Sequence, residues 1–303
     1  MVNFNSRLKD TRLHKFLLIG LFFSLVASCS GEKIDNGQVF RMPISNEPPT
    51  LDWSLATDSV SFDILTNIME GLTQYDSNME PVPAIAKRWE ISKNGKTITY
   101  YLRDDVFWTD GKPVTAHDFE YSWKRLLNPA TAAQYAYFLF DVENAQEFNS
   151  GKISDPSKVG VSAKTAHILE VRLKKPVVYF PSITTFMVTF PQRKDIVEKF
   201  GDHWTDPENI VTNGPFKLSA WEHEYKLILT ANENFYEGRP PLDTILAYVI
   251  REKTTALTLY ETGELEMVEL PPVAIPHFKN HDEYENLAQL RGYYYGINVL
   301  KPP

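Results

Sequence analysis

The chain is 303 residues long, 43 % apolar and 23 % charged, the composition of a folded globular protein rather than a disordered, collagen-like or disulfide-stapled one. Thirty-nine acidic against 31 basic side chains give a formal charge of −8, which argues against a nucleic-acid binder that draws affinity from clustered Lys and Arg. A single compact core is not expected at this length, and two domains are the better expectation.

The N-terminus reads as an address. Arg7, Lys9, Arg12 and Lys15 precede an apolar run from Phe16 to Ala27, too short to span a bilayer as a stable helix. The run ends in Val26-Ala27-Ser28-Cys29, and Cys29 is the chain's only cysteine. Small residues before a lone Cys resemble a bacterial lipobox, so residues 1–28 are expected to be a signal peptide and Cys29 a lipidated mature N-terminus. The alternative is an ordinary secretory leader with a coincidental cysteine. Cleavage before Cys29 would remove four basic residues and one acidic one, taking the formal charge from −8 to −11. The acyl chains would hold the product on a membrane surface outside the cytoplasm, in the periplasm or at the cell surface.

Residues 29–35 form an expected tether of mostly small or charged residues. Val39–Ile44 then reads as a strand, and Phe62, Leu65, Ile68, Met69 and Leu72 share one face of a helix expected over 58–72, with Gly71 near its end. Trp89–Ile91, Asn94-Gly95 and Thr97–Arg103 predict a hairpin with Ile98, Tyr100 and Leu102 on one face. Thr115 is placed to cap a helix starting at Ala116, with Asp118 in its first turn and Phe119, Trp123, Leu126 and Leu127 as its buried stripe. Asn128-Pro129 stops it. Residues 132–148 read as a further helix or helix pair. A second hairpin follows from 159–163 and 167–173, then a helix over 195–200, strands over 216–220, 225–230 and 246–250, a helix over 254–262 and a final strand over 290–299. Hairpins interleaved with short helices describe an α/β or α+β protein.

Catalytic patterns are not found: there is no phosphate loop, nucleophile elbow or zinc-protease helix. Asp104, Asp105 and Asp110 beside Trp108 sit at turn positions, where Asp is expected for local hydrogen bonding rather than catalysis. His277 and His281, four apart, read as a solvated pair rather than a metal site; His117 is expected to make a local bond and His203 to pack beside Trp204. Of Tyr293-Tyr294-Tyr295, at least one should face solvent, a cleft or another domain, because alternate strand residues point oppositely; burial on both faces is the alternative.

The run Trp108-Thr109-Asp110-Gly111-Lys112-Pro113-Val114-Thr115-Ala116-His117-Asp118-Phe119, then Tyr121-Ser122-Trp123, resembles the signature of the solute-binding proteins of peptide ABC importers, nearest the oligopeptide-binding proteins. Collinear support comes from Leu51-Asp52, Glu70-Gly71-Leu72, Ala86–Trp89, Val197–Asp202, Ile210–Phe216 and Tyr293–Asn298. The resemblance implies a periplasmic binding protein-like α/β fold of the three-lobe class. A discontinuous lobe I would take about 36–69 and 191–303, with lobe II inserted at about 70–190. It implies a binding module, not an enzyme, that holds extended oligopeptides by backbone hydrogen bonds. The positions matching the family's peptide-facing residues are Thr57, Asp58, Ser59 and Val60, the strand start Thr212, Asn213 and Gly214, the closing strand's Tyr294, Tyr295 and Asn298, and Tyr135 from lobe II. Importer permease subunits are the implied partners, and a monomer without cofactor, metal or nucleic acid is expected.

In the family the chain continues beyond the segment matching Lys301-Pro302-Pro303 into lobe III, which carries the acid that pairs with the peptide's amino group. This chain is therefore expected to be truncated before lobe III and to bind peptide weakly or not at all. Rival expectations keep the fold but change the solute to a nickel chelate, haem, glutathione or murein peptide, or make the protein a chaperone-like envelope factor. A hydrolase is the third, and no residue set supports it.

Overall fold

The computed structural model describes residues 38–286 together with 297 and 299. The expected leader, Cys29 and tether lie outside the described residues, as do Tyr294, Tyr295 and Asn298. In chain order the strands are β1 (Val39–Ile44), β2 (Thr73–Tyr75), β3 (Pro81–Pro83), β4 (Ala86–Ile91), β5 (Thr97–Leu102), β6 (Val161–Thr165), β7 (Ile168–Arg172), β8 (Phe216–Glu222), β9 (Lys226–Ala231) and β10 (Thr244–Val249). The longer helices are Ser59–Ile68, Ala116–Leu127, Lys194–Phe200 and Lys253–Glu261.

Two four-stranded sheets organise the molecule. The first runs β1-β10-β9-β8, with β1 parallel to β10 and the other pairs antiparallel. The second runs β4-β5-β7-β6, antiparallel throughout. All four strands of the second sheet fall in sequence between β1 and β8, so the chain leaves the first sheet after one strand and returns to finish it. Alternation sets the buried faces: Ile98, Tyr100 and Leu102 on β5, Leu169 and Val171 on β7, and Leu227 and Leu229 on β9 are all buried. Each such side chain contributes roughly 2 kcal/mol by leaving water.

The hairpin forms at Asn94-Gly95, where Gly95 takes φ +69°. Helix Ala116–Leu127 begins with the Asp118 carboxylate accepting from the Thr115 amide at 2.8 Å and from its hydroxyl at 3.0 Å. Its stripe Phe119, Trp123, Leu126 and Leu127 is fully buried. Trp123 Nε1 donates to the Thr189 carbonyl and Ser122 Oγ to the Phe190 carbonyl, which fastens the helix to the segment leading back to the first sheet.

Several expectations are corrected. The helix expected over 58–72 is Ser59–Ile68, because Glu70 is held by a residue far along the chain, as described below. Residues 132–148 form a 3₁₀ segment, Gln134–Leu139, and helix Ala145–Asn149 begins only after Asn144, whose positive φ interrupts regular structure. Thr212–Gly214 precedes β8 rather than starting it. His203 does not pack beside Trp204: its side chain is largely exposed, with Nδ1 2.9 Å from Asp206 Oδ2. Of the strand expected over 290–299, only Ile297 and Val299 are described, and both are more than 80 % exposed. Among the described residues no helix is long and apolar enough to cross a membrane.

Candidate functional site

Helix Ser59–Ile68 carries expected site residues at both ends. At its start the Asp58 carboxylate accepts from the Ser61 amide at 2.9 Å and from the Ser61 hydroxyl at 2.7 Å, so it serves as the N-cap. Ser59 is exposed and Val60 is buried in the core. The Thr57 carbonyl accepts from the Tyr135 hydroxyl at 3.2 Å, and this bond joins two expected site residues 78 positions apart. Tyr135 sits among Phe62, Tyr137, Phe138 and Phe186, with ring centroids 5.6–6.3 Å from its own.

At the helix's other end Thr212, Asn213 and Gly214 form a joint. Gly214 donates its amide to the Ile68 carbonyl at 2.9 Å, and a Cβ here would lie 2.5 Å from the Ile68 carbonyl carbon, so only glycine fits. The Asn213 side chain pairs with the Glu70 backbone, accepting from its amide at 2.9 Å and donating to its carbonyl at 3.3 Å. Thr212 exchanges bonds with Thr109: its carbonyl accepts the Thr109 amide at 2.8 Å and its amide donates to Thr109 Oγ1 at 3.1 Å. The Thr212 hydroxyl is buried and finds no partner among the described residues. Ten helical residues separate the two groups, about 15 Å at 1.5 Å per residue.

Beside this joint the Glu70 carboxyl is mostly buried against the Tyr236 hydroxyl, its hydrogen-bonding neighbour, and no cation is in ion-pair contact with it among the described residues. Burial pushes the Glu70 pKa up to about 7, against the pull of the neighbouring Tyr236 hydroxyl; the Glu237 charge adds to the rise and Arg103 opposes it. The Arg103 guanidinium lies 4.5 Å from the Tyr236 ring centroid and pairs with Asp105 at 2.9 Å.

A second polar joint escaped sequence reasoning. Arg125, on helix Ala116–Leu127, grips Asp52 in bidentate fashion at 2.9 and 2.6 Å. The same carboxylate accepts from the Ser54 amide at 3.0 Å and from Trp204 Nε1 at 3.2 Å. Burial works against the Arg125 charge, but the Asp52 hydrogen bonds outweigh it and hold the guanidinium pKa above its ordinary value. Nearby, Arg193 bridges Asp110 and Asp195, so Asp110 is an ion-pair partner. His277 and His281 are exposed, with ring centroids 5.7 Å apart. No group of three metal-ligating side chains occurs among the described residues.

The profile of the bacterial extracellular solute-binding proteins, family 5 (middle region), matches residues 80–303. The chain belongs to this family. Its members are binding proteins of transport systems, and the α/β architecture above is of their periplasmic binding protein type. Among its family relatives, the oligopeptide-binding protein OppA of Bacillus subtilis is 34 % identical over 302 residues, covering 93 % of this chain and 55 % of that protein. The periplasmic murein peptide-binding protein MppA of Escherichia coli is 32 % identical over 280 residues, covering 90 % and 52 %. The structure of Listeria monocytogenes OppA bound to peptide superposes with TM-score 0.77 at 30 % identity, covering 81 % of this chain and 48 % of that one. The chain thus spans about half the length of the family members it matches.

Proposed function

We propose that this family 5 protein captures oligopeptides outside the cytoplasm and delivers them to the permease subunits of an ABC importer. The observation that carries the reading is the superposition, over four-fifths of the chain, on an OppA structure bound to peptide. The peptide lies extended against the two ends of helix Ser59–Ile68, and the 15 Å between them accommodates about four to five extended residues at 3.3 Å each. Backbone groups around Thr57–Val60 and Thr212–Gly214, with Tyr135 and the segment bearing Tyr294, Tyr295 and Asn298, supply the contacts. Reading main-chain N–H and C=O groups makes capture tolerant of sequence, since every peptide presents them. The first sheet and its flanks (36–69 and 191–303) act as one lobe and residues 70–190 as an inserted one. Cys29 carries the lipid that holds the protein at the membrane.

The 303-residue form spans about half the length of its relatives and carries both helix ends assigned to the peptide, and hydrogen bonds to a peptide are strongest where water is kept from them. Saturation-transfer NMR on this form with tri- to pentapeptides tests the reading. Saturable transfer to peptides, absent for the corresponding free amino acids, is expected. No transfer to any peptide, or equal transfer to free amino acids, would overturn it.

A further inference from the structure

Phe62, Tyr135, Tyr137, Phe138 and Phe186 pack ring against ring, yet none of the five is fully buried. Tyr137 lies stacked on Phe138, centroids 4.7 Å apart and planes 24° apart, and still exposes 54 % of its surface. Phe138 and Phe186 are 4.8 Å apart, and Phe62 closes edge-on against Phe186 at 5.5 Å. A tight aromatic group with an open face and no acidic or basic member is apolar surface left unburied at a defined spot. The spot is not remote: the group is pinned through Tyr135 to the Thr57 carbonyl.

Resting on the peptide reading above, we propose that this five-ring group is the seat for an aromatic or bulky aliphatic side chain of the captured peptide, and that Tyr137 is its specificity-determining residue. The guest side chain stacks on the open face of Tyr137, which removes both surfaces from water and adds an offset ring contact. A charged guest would surrender its hydration to a face that offers few polar atoms in return. Capture is then sequence-tolerant along the backbone but selective at one side-chain position.

Saturation-transfer NMR on the 303-residue chain with tetra-alanine, and with tetra-alanine carrying Phe or Lys at each position in turn, tests this. One Phe position is expected to tighten binding about tenfold over tetra-alanine, with the ring protons receiving the most saturation. Tyr137→Ala should reduce that preference to less than twofold while melting as the unsubstituted protein does, and Tyr137→Phe should retain it. Tyr225→Ala, which removes a similarly exposed ring outside this group, should leave the preference intact. Binding that ignores the side chain, favours Lys at every position, or keeps its Phe preference in Tyr137→Ala overturns the proposal while leaving peptide capture standing. Failure of every peptide to bind removes both.

Discussion

Two buried joints tie the inserted sheet to the first one, and they treat their polar atoms differently. At Asp52 both carboxylate oxygens are occupied, by Arg125, the Ser54 amide and Trp204, and the Trp53 and Trp204 rings close edge-to-face at 4.7 Å beside them. At Glu70 the backbone is fully engaged by Asn213, while among the described residues the carboxyl has the Tyr236 hydroxyl beside it but no cation paired with it, and the Thr212 hydroxyl has no partner. Burial without pairing costs free energy that a completed network does not incur. The first joint is therefore a fixed pivot. The second is held by backbone fit, at Gly214 and Asn213, and carries side chains whose state depends on conditions.

The comparison breaks first at the pivot. Arg125→Met leaves the Asp52 carboxylate buried without its cation, and a loss of about 3–5 kcal/mol in denaturant unfolding is expected. The double variant Asp52→Leu/Arg125→Met should cost less than Arg125→Met alone, because no charge is stranded. If the single change costs under about 1 kcal/mol, Asp52 is reached by water and the contrast fails. At the second joint Gly214→Ala is the severe change. The added methyl meets Ile68 and Met69 backbone atoms at 2.5 and 2.6 Å, and backbone cannot swing aside as a side chain can. About 3 kcal/mol is expected.

These joints also mark where local pattern stops being informative. Asn94-Gly95, the Thr115 and Asp118 helix start and the Ile98-Tyr100-Leu102 face are legible because their partners lie within a few residues. The helix after Asp58 was expected to run to Leu72, since its apolar spacing continues that far. It stops at Ile68 because Asn213, 143 residues away, claims the Glu70 backbone. Asp52 and Arg125 are 73 apart and neither carries a periodic signal. Tyr135 and Thr57 could be paired as site residues only through family resemblance. Phe62 and Phe186 were visible merely as apolar positions, because what gathers them with Tyr137 and Phe138 is tertiary packing.

The carboxyl that is buried without a cation sharpens the comparison through pH. Glu70 ordinarily titrates near 4.5, and burial raises it to about 7 in the fold. A carboxyl whose folded pKa is raised binds its proton more tightly when folded. Its stabilising contribution is therefore complete below about pH 4.5 and is lost as pH rises through 7. Glu70 alone should make the protein about 2–3 kcal/mol less stable at pH 8 than at pH 5. Glu70→Gln should flatten that dependence and raise stability at pH 8 while changing little at pH 5. An unchanged pH profile in the variant would mean that the carboxyl is solvated and that the two joints are alike.

The smallest expected effect lies at the far end of the same helix. Tyr135→Phe removes one hydroxyl donor and keeps the ring, so the aromatic group stays packed while the bond to the Thr57 carbonyl is lost. That carbonyl belongs to a half-buried residue, and water can replace the hydroxyl, so about 1 kcal/mol or less is expected in unfolding. A cost of 2 kcal/mol or more would show the carbonyl sealed from solvent, making this end a third buried joint rather than an open edge where a peptide amide could compete with Tyr135 for the same oxygen. A small cost together with weakened peptide binding would instead place the Tyr135 hydroxyl on the ligand.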